Sequence, residues 1–219
     1  MRVAPPRELA DLPYAHHLEP CAGEPERDGA HDCVHVDGAH YEDLDGGRLR
    51  LVESALSEVT LTGGRYRRAR LDSVWCRGLR AVGTDLAETA WLDVDCAAGL
   101  FAGIQLHGAE LRRVVFRNCK FDSVNFRAAR LREVAFVDCL LRDADFAGAA
   151  LNDVVFPGST LESVRLDGAG LAKTDLREAR ALGITSGFEA LRGAVISTPQ
   201  LFDLAPSLAA HLGLTVKDD

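Results

Sequence analysis

Along most of this chain every fifth residue is apolar, in one continuous register. From Val36 the series runs through Tyr41, Leu51, Leu56, Leu61, Tyr66, Leu71, Cys76, Ala81, Leu86, Trp91 and Cys96, with Gly46 as the one gap. From Phe101 to Leu176 every member is Leu or Phe. The series then passes Ala181 and Ser186 and closes on Leu191 and Ile196. A helix cannot hold this pattern on one side, because five residues turn it by about 500° and successive members drift by ~140°. A straight strand cannot hold it either, since its side chains alternate with a period of two. The series points inward only if the chain turns a corner between one member and the next, as a solenoid does.

A second column supports this reading. Two residues before each member sits a small or medium apolar residue, as at Ala109, Val114, Cys119, Val124, Ala129 and Val134. The residue between them varies and is often polar, as at Lys120, Asn125 and Asp145. In-out-in over three residues is a short strand, and the other two residues make the corner. Glycine is frequent there (Gly103, Gly108, Gly148, Gly158, Gly168, Gly183), where its freedom suits turn dihedrals. A spacing of twenty gives the most uniform columns. Leu51, Leu71, Trp91, Leu111, Leu131, Leu151, Leu171 and Leu191 form one, Phe116, Phe136 and Phe156 another, and Cys76 pairs with Cys96 as Cys119 does with Cys139. Four five-residue sides per coil over residues 34–196 make about eight coils and, at ~4.8 Å per coil, a rod roughly 40 Å long.

The triplets Ala144-Asp145-Phe146, Thr84-Asp85-Leu86, Thr174-Asp175-Leu176 and Val124-Asn125-Phe126 resemble the pentapeptide repeat family over about three quarters of the chain. The resemblance implies an all-β fold, a right-handed quadrilateral β-helix. Many repeats here lack the Asp or Asn, as at Arg130, Ala135, Leu140, Ala150 and Val155. That position faces outward, so the departure is expected to change the surface and not the fold.

The ends differ from the body. Residues 1–33 are Pro-rich and polar with scattered apolar residues, and read either as an N-terminal cap or as a partly disordered segment. Residues 197–219 read as a short C-terminal helical cap, with Thr198 as N-cap and Pro199 in the first turn. Leu201, Leu204, Ala205, Leu208 and Leu212 follow at helical spacing, and Pro206 is expected to kink or split the helix. Gly213 ends it, and Leu214-Thr215-Val216 could add a strand. This tail resembles that of the gyrase-protecting members of the family, in which it makes a homodimer. The candidate interface is Leu201, Phe202, Leu204, Leu208, Leu212 and Leu214, and the alternative is a tail that only folds over its own last coil.

The net charge of −8 is unevenly placed. Residues 1–60 carry 13 acidic and 5 basic residues, residues 61–186 carry 16 and 18, and residues 187–219 carry 4 and 2. The coil body is therefore near neutral and the acidity lies at the N-terminal end. No apolar run reaches membrane-spanning length and the first residues have no signal-peptide core, so a cytoplasmic protein is expected. Four of the six cysteines (Cys76, Cys96, Cys119, Cys139) fall at inward positions and are expected as reduced, buried thiols.

There is no phosphate loop, dinucleotide-binding glycine motif or nucleophile elbow, so no catalytic residues and no cofactor are assigned. His31, Cys33 and His35 would share one side of a strand, with His40 and the His16-His17 pair nearby. Zinc spacing is absent, and solvated surface residues are the preferred reading over a metal site in 31–40. Arg112 and Arg132 share an outward column, with Arg113, Arg117, Arg127 and Arg130 close by and Glu133 and Asp153 stacked beside Arg113. A mixed, salt-bridged surface is preferred there to a nucleic-acid patch, because the total charge is negative and no exposed aromatic run suits bases.

A closed rod without a pocket puts its information on its outer faces. The favoured function is a non-catalytic protein-interaction scaffold with an unidentified partner. The alternative implied by the family is a DNA mimic that binds DNA gyrase or topoisomerase IV and protects against topoisomerase poisons, an antibiotic-resistance role. The neutral body speaks against mimicry, which needs acidic stripes in place of phosphates. If gyrase is the partner, the contact is expected at Asp37, Glu42, Asp43, Asp45, Glu53 and Glu58.

Overall fold

The corners that the five-residue step demands are made by one backbone conformation used over and over. In the computed structural model, which describes residues 3, 5–21 and 23–217, the residue at every fifth position from 28 to 173 has a positive φ, between 44° and 68°. Nine of these thirty positions are glycine and the rest carry side chains, among them Glu53, Arg68, Ala98, Ala128 and Lys173. A left-handed residue with a Cβ costs roughly 1 kcal/mol. The ladder offsets this cost at the corner itself. The N–H of Asp43, Arg48, Glu53 and Asn118 each donates at 2.8–2.9 Å to the carbonyl nineteen residues further on, in the next coil.

Between corners lie three-residue strands, and each pairs in parallel with the strand twenty residues away. Leu111 pairs with Leu131, Phe116 with Phe136, and Phe121 with Leu141. Four faces result. The first carries strands such as Arg50–Val52, Arg70–Asp72 and Ala90–Leu92; the second Ala55–Ser57, Trp75–Arg77 and Asp95–Ala97; the third Thr60–Thr62, Arg80–Val82 and Leu100–Ala102. The fourth is held by single bridges that link Asp45, Arg65, Asp85, Gln105, Asn125, Asp145 and Arg165 in a column. Strands Glu110–Arg117, Arg130–Val137 and Ala150–Val155 run unbroken round the first corner, so the first two faces form one 13-stranded sheet beside the 8-stranded third face. Eight first-face strands, from Ala30–Asp32 to Gly170–Ala172, make a β-solenoid of about eight turns.

Both inward columns are buried over the regular coils. Phenylalanines stack along columns and meet edge-on across them. Phe116–Phe136 and Phe136–Phe156 lie 5.2 Å apart and near parallel, whereas Phe116–Phe121 is perpendicular at 5.1 Å. Inward hydroxyls are satisfied by backbone: Ser159 donates to the Phe136 carbonyl at 2.7 Å, and Thr89 to Leu86 while accepting from the Trp91 indole. All six cysteines are free. The Cys119 and Cys139 sulfurs donate to carbonyls of the preceding coil, which fits neutral thiols.

The five-residue series fails at its last coil. Thr160 pairs with Ala181 and Leu161 with Leu182, a step of twenty-one; Val164 pairs with Ile184 at twenty, and Arg165 with Ser186 at twenty-one again. Leu182 and Ile184 are buried, whereas Ala181 and Ser186 are not. Gly183 is therefore not a corner. It sits in the slipped strand, where a Cβ would come within 2.7 Å of the Leu161 carbonyl oxygen.

The helix Thr198–His211 closes this end. Its N-cap is Ser197, not Thr198, through a capping box in which Ser197 and Gln200 bond reciprocally. Pro206 lies inside one continuous helix and does not split it, and residues 214–216 form no strand. The buried Gln200 amide donates to the carbonyls of Leu176 and Ala179 at 2.8 and 2.9 Å, which pairs two acceptors of the last regular coil. Among the described residues, no helix is long and apolar enough to cross a membrane.

The repeated corner geometry gives a sign test. Ala128→Gly relieves a left-handed alanine (φ 54°), and should raise stability by about 0.5 kcal/mol after the extra unfolded-state entropy is set against it. Ala150→Gly, at an exposed strand position with ordinary dihedrals, should lower it by about 0.5–1 kcal/mol. Thermal melts of both variants should move in opposite directions.

Candidate interaction surface

The outer faces hold the ionic chemistry of the described residues, and the largest set of ion pairs falls at the ladder spacing. Arg48 grips Asp28 at 2.6 Å, Arg68 bonds Glu88 at 2.7 Å, Arg113 bonds Asp93 at 2.6 Å, Arg130 bonds Glu110 at 2.8 Å, Arg142 bonds Glu162 at 3.0 Å and Arg165 bonds Asp145 at 2.9 Å. Each pair is twenty residues apart, because stacked coils place the same position of neighbouring turns side by side. Arg112 and Arg132 are ladder partners as the spacing implies, and Arg132 turns to Glu133 at 3.2 Å. The coil body thus presents a neutralised lattice of charge. Exposed pairs of this kind contribute little stability individually, but they leave little free field.

The outward Asp or Asn of the repeat has a backbone role. Asp45, Asp85, Asn125, Asp145 and Asp175 each accept, at 2.9–3.0 Å, the N–H two residues on. The side chain thereby ties down the next corner. At Asp175 the Arg177 guanidinium, with that backbone bond, holds the carboxyl at about 2.

The six acidic candidates do not make one stripe. Asp37 lies on the second face and Glu58 at the corner after it, Glu42 on the third face and Asp43 at the next corner, Asp45 on the fourth, and Glu53 at the corner between the first two. They encircle the first coils. Asp45 is engaged by Arg27 at 2.7 Å and by the Gly47 N–H, and Arg27 foremost holds its carboxyl below the usual range. Glu53 accepts weakly from the Cys33 thiol at 3.8 Å. Asp37, Glu42, Asp43 and Glu58 are exposed or at exposed corners and take part in no described ion pair.

His31, Cys33 and His35 are not brought together on one side. Cys33 is a corner residue with φ 51°, so alternation stops there. His31 faces the interior end of the first coil, while His35 bonds the Ser57 hydroxyl at 2.8 Å on the second face. The group that does converge is Asp32, Cys33 and Glu53, and the two carboxylates follow burial in raising the Cys33 thiol.

The C-terminal candidates divide into two sets. Leu204 is buried and Leu208 half-buried against the last coil. Leu201, Phe202, Leu212 and Leu214 are exposed, Phe202 by 72%. With Ala205 they form an apolar stripe beside the packed side of the helix.

The N-terminal segment contributes a feature that spacing could not reveal. Residues 7–18 run as a strap along the outside of the second face. Leu12 and Tyr14 are buried there against Ala55 and Trp75. The Trp75 indole donates to the Arg7 carbonyl at 2.9 Å, the Tyr14 hydroxyl donates to the Ser73 carbonyl at 2.6 Å, and Arg7 reaches the buried Asp95 at 3.6 Å. The available signal was Trp75 itself, an aromatic at an outward position that on the other coils of this face carries His, Ala, Asp or Val.

Residues 109–185 match the family model described as pentapeptide repeat region, and the same register and ladder spacing extend on its N-terminal side to Ala30. The chain is a parallel β-solenoid, and its residues 109–185 are similar to a pentapeptide repeat region. Three solved pentapeptide structures are similar to it. One is HetL from the cyanobacterium Nostoc sp. strain PCC 7120, a pentapeptide repeat protein involved in heterocyst differentiation regulation, at 18% identity over 80% of this chain and 92% of that one, TM-score 0.45. Full-length QnrB1, a plasmid-mediated fluoroquinolone resistance protein, has 14% identity over 85% and 100%, TM-score 0.30. Rfr23 from the cyanobacterium Cyanothece 51142 has 13% identity over 76% and 91%, TM-score 0.22. No curated protein matches the chain.

The strap responds to pH through Tyr14. Burial foremost lifts its phenol to about 12. A raised acid favours the neutral form in the docked state, so its contribution is complete below the free value near 10 and is lost as pH climbs from ~10 towards 12. Limited proteolysis should find residues 7–18 protected at pH 9 and cleaved readily above pH 11. Tyr14→Phe should loosen the strap by about 1 kcal/mol at neutral pH through the lost hydrogen bond, with little change in the melting of the coils.

Proposed function

We propose that this protein is a non-catalytic interaction scaffold that binds a macromolecular partner through the outer faces of its solenoid. The observation that carries this reading is the distribution of chemistry. The inward columns are apolar or neutral, and the charged residues lie on the four faces and at the corners, repeated at a fixed ladder spacing. A rigid rod with a regular surface lattice suits recognition of an extended partner surface better than turnover of a small substrate. Affinity capture from the host extract tests it: the native protein should retain a stoichiometric partner, and high salt should release that partner.

A second reading rests on one specific feature. The body is neutralised by ladder pairs, but Asp37, Glu42, Asp43 and Glu58 on the first coils keep their charge free. That end could replace phosphates in a basic DNA-binding groove such as that of DNA gyrase. Changing these four residues together to Lys should abolish inhibition of supercoiling while the melting temperature barely moves. A wild-type protein that leaves gyrase untouched at low salt and in molar excess removes this reading and leaves the first intact.

We also propose a homodimer through the C-terminal helix, supported by the exposed stripe of Leu201, Phe202, Leu212 and Leu214 beside the capping side. Leu204 and Gln200 stay with the coil, so an interface variant need not uncap the rod. Phe202→Glu should give monomers in sedimentation at micromolar concentration with an unchanged β spectrum, whereas Leu204→Glu should lower the melting temperature sharply.

A further inference from the structure

The core is not packed equally along the rod. In the C-terminal half, six phenylalanines from Phe116 to Phe156 fill the axis, and inward residues such as Leu111 and Leu131 are 1% exposed. No phenylalanine precedes Phe101. There the inward positions are mostly Leu, Val, Cys and Ala, with Tyr41, Tyr66 and Trp91 as the aromatic members, and Leu51, Leu56 and Leu71 each keep 8% of their surface open although they point to the axis. The opening is an axial cavity of about 80 Å³. It runs from the N-terminal end, beside Cys21, Pro25 and Tyr41, past Leu51 and Leu71 to a floor at Trp91 and Phe101. Apart from His31 and the Tyr41 and Tyr66 rings, its inward lining is aliphatic.

Shape and lining restrict what could enter. From the first coil to Phe101 is about three and a half coils, or ~17 Å at ~4.8 Å each. A volume of this kind holds on the order of six water-sized spheres, which over that length is a single file. Water has too few polar partners along such walls to be held there. A branched or aromatic molecule is too wide, whereas an unbranched chain of methylene groups fits. The floor is sealed, with Trp91 and Phe101 buried, but Cys21, Pro25 and Tyr41 at the other end are each partly exposed. The rim there is acidic: residues 19–45 contain nine carboxylates, of which Asp28 and Asp45 are paired with Arg48 and Arg27. A carboxylate head would meet like charge at this end, and an ammonium or hydroxyl head would not.

We propose that the N-terminal half of the solenoid is a binding site for one unbranched alkyl chain with a cationic or neutral head group, inserted tail-first along the axis. Burial of each additional methylene should tighten binding roughly three- to fourfold until the chain reaches Phe101, after which the gain stops.

The test is calorimetric titration of the full chain with n-alkylammonium and n-alkanol series from hexyl to dodecyl, below their aggregation concentrations, against n-alkanoates and a branched isomer. The expected result is one site per chain, the length dependence above, and binding of the alkanoates at least tenfold weaker than that of the amines. Ala81→Leu and, separately, Leu71→Phe narrow the cavity at two levels, and each variant that melts at or above the wild-type temperature should lose binding of the long chains. Leu151→Met, among the stacked phenylalanines of the later coils and outside the cavity, should leave binding unchanged. The proposal is overturned if no chain binds at one per protein, if affinity ignores chain length, if the branched isomer binds equally, or if a folded cavity-filling variant binds as well as wild type.

Discussion

Everything in this molecule depends on the parallel ladder that sets each residue beside the one twenty positions on. It supplies the hydrogen bonds that hold the corners in a left-handed conformation, in which isolated residues with side chains are strained. The same ladder stacks like on like. Inside, this gives face-to-face phenylalanines and columns of leucine; outside, it places opposite charges in register or leaves like charges side by side. A sequence that repeats every five residues is one in which each of these consequences can be met at every level of the rod.

The ladder also creates the protein's main structural problem, which is its ends. Each terminal coil has unpaired backbone groups and an incompletely covered core. The two ends solve this differently. At the C-terminus a single glutamine, Gln200, bonds two coil carbonyls while Leu204 is buried in the core, and the last coil ahead of the helix carries the register slip around Gly183. At the N-terminus the strand Glu19–Pro20 extends only the second face, by pairing with Val34 and His35, and the chain before it goes to the outside of that face. The axis is left lightly covered at this end, and the smaller residues of the first coils leave the interior open beneath it.

The surface follows from the same geometry. Where a ladder neighbour carries the opposite charge the pair closes on itself, and the body offers shape more than net field. Where no such neighbour exists, as for Asp37, Glu42 and Glu58 on the first coils, charge stays free. The distinctive electrostatics and the distinctive cavity therefore occur at one end: the first coils lack ladder partners of opposite charge at these positions, and they lack the stacked phenylalanines of the later ones.

By itself the sequence determined the solenoid, its four sides, the twenty-residue register and the membership of the core, because a period of five admits no other way of burying Phe116, Phe136 and Leu151 together. It also located the capping helix from its apolar spacing, and the near-neutral body from its composition. Tertiary structure decided what is not periodic. The slip at Ala181 depends on how the last coil meets its cap, and the choice of Ser197 over Thr198 as N-cap depends on where Gln200 must reach. The separation of Cys33 from its flanking histidines follows from a corner that composition did not mark. The docking of Tyr14 on Trp75 joins residues about sixty positions apart that the repeat does not relate, so no local pattern encodes it. Repetition made the interior legible because each coil states the same contact again; the strap, the cap and the open axis are each specified once, by contacts that exist only when the coils are already stacked.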